Sequence, residues 1–140
     1  IYGDDYRFEI GKRKVLADGE DVTIIAAGLT VYMALEAREL LKQKGIDAAV
    51  IDMASIKPLD EELVIKYAKK TGKIVTAEEH SVIGGLGGAV CECLSENCPV
   101  PVRRVGIKDV FGASGKALEV AEAFGLSPRH ICEAAEALIK

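Results

Sequence analysis

Apolar positions recur along this chain in two alternating rhythms, short β-branched runs and longer stretches with helical spacing. Val22-Thr23-Ile24-Ile25-Ala26-Ala27 is a run of the first kind, ended by Gly28, and it predicts a buried strand. From Thr30, a candidate N-cap, Val31, Ala34, Ala37 and Leu41 recur at helical spacing, and Gly45 stands where a C′ glycine stops a helix. Ala48–Met53 repeats the strand pattern. Pro58 forbids its continuation, and Asp60-Glu61-Glu62 opens a second helix with acids at its positive end, while Lys66, Lys69 and Lys70 close it at the negative end. Lys73–Ala77 predicts a further strand. The glycine cluster Gly84-Gly85-Leu86-Gly87-Gly88 then leads into a helix whose Leu86, Ala89, Val90, Cys93 and Leu94 form one apolar stripe. After Pro99 and Pro101, Val102–Ile107 places polar residues between apolar ones, as suits a sheet edge. Two short helices follow: one from about Ser114 to Phe124, stopped by Gly125, and one with Ser127 as N-cap, Pro128 at its first position and Ile131, Cys132, Ala135 and Leu138 facing inward.

Strands alternating with helices at this spacing predict an α/β fold with a mostly parallel sheet covered on both faces. Lys14-Val15-Leu16 predicts an additional short strand, which the tight Asp18-Gly19 turn is expected to return antiparallel beside Val22–Ala27. The segment before it has no clear periodicity, yet its first eight residues hold Tyr2, Tyr6 and Phe8, three of only seven aromatic residues in the chain. Aromatic side chains bury large areas and seldom gather in a free tail, so this arm is expected to pack on a surface outside the chain; the alternative is a tail folded back on the domain. The expected organisation is an arm over residues 1–13 leading from a preceding domain, followed by one domain over residues 14–140. Ile at position 1, where a translated chain has Met, carries the same expectation of a piece processed or cut from something longer.

Composition narrows the function classes. With 140 residues, 49% of them hydrophobic, the chain is long enough for one domain with a real core and too short for two. Its 18 Lys and Arg against 22 Asp and Glu give a net charge of −4, and the cations are scattered, so no basic stripe points to nucleic acid. No apolar run approaches the roughly 18 residues that span a bilayer, and no signal-peptide pattern opens the chain, which predicts a soluble cytoplasmic protein without a membrane partner. Cys91, Cys93, Cys98 and Cys132 lack zinc-site spacing and read as reduced thiols, Cys93 and Cys132 on apolar helical faces.

The motifs that carry chemistry are few. Gly85-Leu86-Gly87-Gly88-Ala89-Val90 offers G-x-G, but Val90 stands where a dinucleotide fingerprint needs its third Gly or Ala. Gly112-Ala113-Ser114-Gly115-Lys116-Ala117 fails as a phosphate loop, with Val110 at the first glycine position and Ala117 at the Ser/Thr position. Glu78-Glu79-His80 falls at the carboxyl end of a strand, where open α/β sheets place ligands. A carboxylate beside an imidazole suits acid–base work, and polar residues of a loop or a subunit contact are the simpler reading. His130, in the first turn of the last helix, reads as a solvated surface residue. No self-sufficient catalytic constellation is present.

The stretch Val75-Thr76-Ala77-Glu78-Glu79-His80-Ser81-Val82-Ile83-Gly84-Gly85-Leu86-Gly87-Gly88-Ala89-Val90 resembles the V-x-x-E-[ED]-H-x-x-x-G-G-[LI]-G-x-A-V segment of transketolase C-terminal domains. Val105–Lys116, Asp21–Gly28 and Ser55–Asp60 resemble the same domain in the same order, and less specifically that of deoxyxylulose-phosphate synthases and 2-oxoacid dehydrogenase beta subunits. The resemblance implies a three-layer α/β/α fold with a five-stranded mixed sheet, one strand antiparallel. It also implies a parent enzyme that moves a two-carbon ketol unit between sugar phosphates with thiamine diphosphate and a divalent metal, magnesium or calcium. In that family the cofactor is held by domains that precede this one, so no catalytic, cofactor-binding or metal residue is carried over to this chain. The expected partners are the remaining transketolase domains or an N-terminal subunit in a homodimer-type assembly, and the domain is expected to be inactive alone. Tyr2, Tyr6, Phe8, Glu79, His80, Gly84 and Gly85 are the candidate interface residues. The alternative is a regulatory module that binds an anion or nucleotide around Gly28, Glu79 and Gly85–Gly88.

Overall fold

A computed structural model describes all 140 residues. Five strands and five helices follow in chain order: β1 (Lys14–Ala17), β2 (Val22–Ala27), α1 (Thr30–Gln43), β3 (Ala48–Asp52), α2 (Glu61–Thr71), β4 (Ile74–Ser81), α3 (Leu86–Asn97), β5 (Val102–Ile107), α4 (Ala117–Ala123) and α5 (Pro128–Ile139). The strands form one mixed sheet in the order β1-β3-β2-β4-β5, with β2, β3, β4 and β5 parallel and β1 antiparallel. Period-two alternation divides the central strands between two cores. Ile24 and Val50 face a cluster closed by Leu41 of α1 and by Ile131 and Ala135 of α5. Ile25 and Ile51 face a second cluster closed by Val64 and Tyr67 of α2 and by Leu86 and Leu94 of α3. Both cores close within the chain, so the domain has what it needs to fold alone.

β1 lies beside β3, with Lys14 opposite Asp52 and Val15 opposite Ile51, and not beside β2 as the Asp18-Gly19 turn suggests in sequence. The chain crosses β3 at its amino end, and Gly19 packs directly on the Ala48-Ala49 peptide, which leaves no room for a Cβ. The position next to β2 is therefore free for β3, which pairs with it over Val22–Ala26.

Local signals are used with some changes of role. Asp60 caps α2, its carboxylate accepting from the Leu63 amide at 2.9 Å, and its other oxygen is paired with the Arg13 guanidinium. Thr30 is the first residue of α1 and not its cap; its hydroxyl donates to the carbonyls of Ala27 and Ala77, which ties α1 to both β2 and β4. α4 is shorter than the sequence pattern predicts, starting at Ala117, and residues 112–116 form a loop. His130 is half-buried, its Nδ1 2.8 Å from the Ser127 hydroxyl, so it is part of the junction between α4 and α5 and not a solvated residue. All four cysteines are free, with Cys93 and Cys132 buried as the apolar stripes predict.

Candidate functional site

Strand order reverses at β2, which sends its crossover to β3 on one side while β4 lies on the other. The carboxyl ends of β2 and β4 therefore diverge into a crevice, the place where open α/β sheets bind ligands. Here it has a volume of about 390 Å³ and is lined by Gly28 and Leu29 after β2, Ile56 after β3, Glu78, Glu79 and His80 of β4, and Gly84 and Gly85 before α3.

β4 is longer than the apolar run Ile74–Ala77 because Glu78, Glu79 and His80 continue as strand up to Ser81. Within these three residues the environments separate sharply. Glu79 and His80 are exposed, and the nearest polar partner of the imidazole is the carbonyl of its neighbour Ser81, 3.1 Å from Nδ1. Glu78 is only 2% exposed. Its carboxylate accepts two backbone hydrogen bonds at the start of α3, Oε2 from the Leu86 amide at 2.7 Å and Oε1 from the Gly87 amide at 2.8 Å. These are among the amides that a helix start leaves without intrahelical partners, and the positive end of the helix dipole favours the charge.

Gly85 is required by this contact, and Gly87 and Gly84 by the packing and the turn beside it. A Cβ on Gly85 would overlap Glu78 Oε2 and lie 2.9 Å from the Ser81 carbonyl oxygen, and a Cβ on Gly87 would lie 2.8 Å from Thr76 Oγ1. Gly84 reaches the turn with φ of 74°, a conformation open to glycine at little cost. The cluster is thus a cradle for the chain's own carboxylate. A diphosphate does not fit there, because Glu78 already accepts from the amides that would hold it. No three His, Cys, Asp or Glu side chains converge in an arrangement able to hold a metal ion.

Glu78 is the residue that sequence reasoning missed. In the sequence it is only one of three adjacent polar residues, and the signal that separates it is its spacing of seven from Gly85, which brings a strand-end carboxylate back to the helix start.

The arm reaches the same end of the sheet. Tyr2 and Tyr6 stack with ring centroids 3.9 Å apart, and the Lys14 ammonium lies 5.3 and 5.5 Å from the two rings. The Tyr2 hydroxyl donates to the Asp52 carboxylate at the end of β3. Burial, followed by this hydrogen bond to a carboxylate, raises the phenol well above its ordinary value. Gly11 packs on Pro58, and Arg13 pairs with Asp60. Tyr2 and Tyr6 are therefore engaged with the chain's own domain, while Phe8 remains 59% exposed.

A doubly covered α/β sheet whose Gly84–Gly88 cradle is filled by the chain's own carboxylate defines the class, a three-layer α/β domain without a phosphate loop at the start of α3. Comparison with known proteins supplies the family. The family model for the transketolase C-terminal domain matches residues 11–131, and the chain belongs to that family. It is 51% identical over 137 residues to an apulose-4-phosphate transketolase subunit of Phocaeicola vulgatus, covering 98% of this chain and 44% of that one. It is 44% identical over 130 residues to the 1-deoxy-D-xylulose-5-phosphate synthase of Heliobacterium modesticaldum, covering 92% of this chain and 20% of that one. Among solved structures, a split-gene transketolase in the form of an inactive beta4 tetramer superposes with a TM-score of 0.95 at 50% identity, over 99% of this chain and 45% of that one. The chain spans less than half the length of the curated relatives it matches.

Proposed function

We propose that this chain is the C-terminal domain of a transketolase-type enzyme that transfers a two-carbon ketol unit between sugar phosphates, and that its own task is assembly. Thiamine diphosphate and its divalent metal are held by the preceding domains, and the isolated domain is inactive. The observation that carries this reading is the match of residues 11–131 to the transketolase C-terminal domain, and the buried Glu78 carboxylate supports the assembly role by filling the helix-start amides of α3 at the switch point. The same contact weighs against an anion or nucleotide at Gly85–Gly88. Residues 1–13 act as the arm joining this domain to what precedes it, and Glu79, His80, Gly84 and Gly85 belong to the contact surface beside it. The assembly is of homodimer type and works in the cytoplasm, in pentose phosphate metabolism. No helix is long and apolar enough to cross a membrane.

A deoxyxylulose-phosphate synthase parent is the second reading, supported by the relatives at 44% identity, and the transketolase subunits at 50% and 51% favour the first. Complementation separates them. Co-expression with the preceding segments from the same source is expected to give transfer of a ketol unit from a ketose phosphate to an aldose phosphate in the presence of thiamine diphosphate and Mg²⁺. Neither part alone is expected to turn over. Condensation of pyruvate with glyceraldehyde 3-phosphate, without ketol transfer, would identify the second parent.

A further inference from the structure

β5 is an edge strand, and its pairing shows which of its backbone groups are free. The amides of Ile74 and Val82 donate to the carbonyls of Pro101 and Ile107, so the odd-numbered residues of this stretch turn their backbone groups to β4. Successive residues of a strand turn theirs to opposite sides, which leaves those of Val102, Arg104 and Gly106 on the open edge. A groove of about 640 Å³ runs along this edge, lined by Arg103, Arg104, Val105 and Gly106 together with Ala134 and Ala137 of α5. Four consecutive strand residues, whose side chains alternate between the two faces of the sheet, share one cavity only when it opens on the edge itself. The charge of this edge is also distinct. The chain has a net charge of −4, yet Arg103 and Lys108 are exposed and join no ion pair, and the Arg104 guanidinium donates only to the Val82 carbonyl, at 2.7 Å. The one acid that lines the groove, Glu133, is already held by Arg129 at 2.7 Å.

We infer that the open edge of β5 takes up an acidic extended segment of a partner protein as a sixth strand, laid in the groove between β5 and α5. The inference goes beyond the transketolase reading and stands without it. Main-chain hydrogen bonds to Val102, Arg104 and Gly106 hold the segment, and the uncompensated cations select its charge. Alternation gives it two kinds of side chain: those on the α5 side meet Val105, Ala134 and Ala137, and those on the other side meet Arg104. Charged side chains ordinarily keep an edge strand from pairing with its own kind. Two copies of β5 paired antiparallel about Arg104 would set arginine against arginine, so the charges that admit an acidic strand turn away a second copy of this one.

The probe is a short capped peptide of alternating glutamate and valine, titrated into the chain in a calorimeter beside a lysine–valine peptide of the same length. Saturable binding of the acidic peptide alone is expected. N-methylation of the set of peptide residues whose amides face β5 is expected to abolish it, and N-methylation of the alternate set to leave it. In the variant Arg103→Glu with Lys108→Glu the dissociation constant of the acidic peptide is expected to rise about tenfold or more, and the lysine–valine peptide is expected to bind in its place. The control Lys42→Glu with Lys69→Glu makes the same change in net charge on the far helices and is expected to bind as wild type does. Arg103→Glu alone serves as a second variant if the double one melts early. No saturable binding at millimolar acidic peptide overturns the inference, as does binding that the charge reversals leave unchanged. If either set of amides can be methylated without loss, the contact is one of charge alone and the inference is overturned. A free chain that is dimeric, and monomeric once Arg103 and Lys108 are reversed, would give the edge to a second copy and overturn it as well.

Discussion

Glu78→Ala is expected to destabilise the domain by about 3 kcal/mol and to lower its melting temperature by roughly 10 °C. The substitution removes the only acceptor of two short hydrogen bonds, from Leu86 and Gly87, and leaves both amides buried at the start of α3. Each unsatisfied buried donor costs about 1–3 kcal/mol, and the loss of the charge at the positive end of the helix adds to it. Glu78→Gln is expected to lose about half as much, because it keeps one oxygen acceptor but turns an NH₂ donor toward the other amide. The emptied cradle of the alanine variant also gives a second reading of the same physics. Acetate or phosphate is expected to raise the melting temperature of Glu78→Ala more than that of the wild type, since only the variant frees the Leu86 and Gly87 amides. An alanine variant within about 0.5 kcal/mol of wild type in denaturant unfolding would show that the carboxylate does not organise the loop.

Gly19→Ala is the other substitution expected to cost about 3 kcal/mol, for an unrelated reason. The added Cβ would overlap the Ala48 carbonyl carbon and stand 2.5 Å from the Ala49 amide nitrogen, so the obstacle is backbone on backbone. A flexible side chain would move aside at little cost, whereas the Ala48-Ala49 peptide is held in β3 between two paired strands. The Arg38 guanidinium holds the Ala48 carbonyl at 2.9 Å as well. Relief requires β1 to lift off β3, and chemical denaturation is expected to show a lower midpoint with an unchanged slope.

These two positions also mark the limit of what could be read from the chain. The four parallel strands, the helices between them and the edge position of β5 are legible because each follows from local periodicity and from punctuation by Gly45, Pro58 and Gly125. The neighbour of β1 is not, because a tight turn at Asp18-Gly19 suits a hairpin, while the fold instead inserts β3 between the two strands. That choice is set by a long-range competition for the edge of β2, which Ala48–Asp52 wins with five paired residues and a fully buried strand. At the end of β4, the sequence marks Glu78-Glu79-His80 and the glycine cluster, but it groups Glu78 with Glu79 and His80. Alternation along β4 puts Glu78 and His80 on one face, but only Glu78 lies against the start of α3, where the return of the chain through Gly84 and Gly85 supplies the amides that make a buried carboxylate tolerable. The arm divides in the same way. The crowding of aromatics announces a contact, and it takes the fold to show that Tyr2 and Tyr6 find theirs on Asp52 and Lys14 while Phe8 stays exposed.

On the proposed reading this domain serves a thiamine diphosphate enzyme without binding the cofactor itself, the amides at the start of α3 being committed to Glu78. Titration of the isolated wild-type chain with thiamine diphosphate and Mg²⁺ in a calorimeter tests this most directly. The expected result is no saturable heat and no rise in melting temperature at millimolar ligand. A saturable isotherm with a dissociation constant in the micromolar range, lost on substitution in the Gly84–Gly88 loop, would contradict that reading and return the cofactor site to this domain.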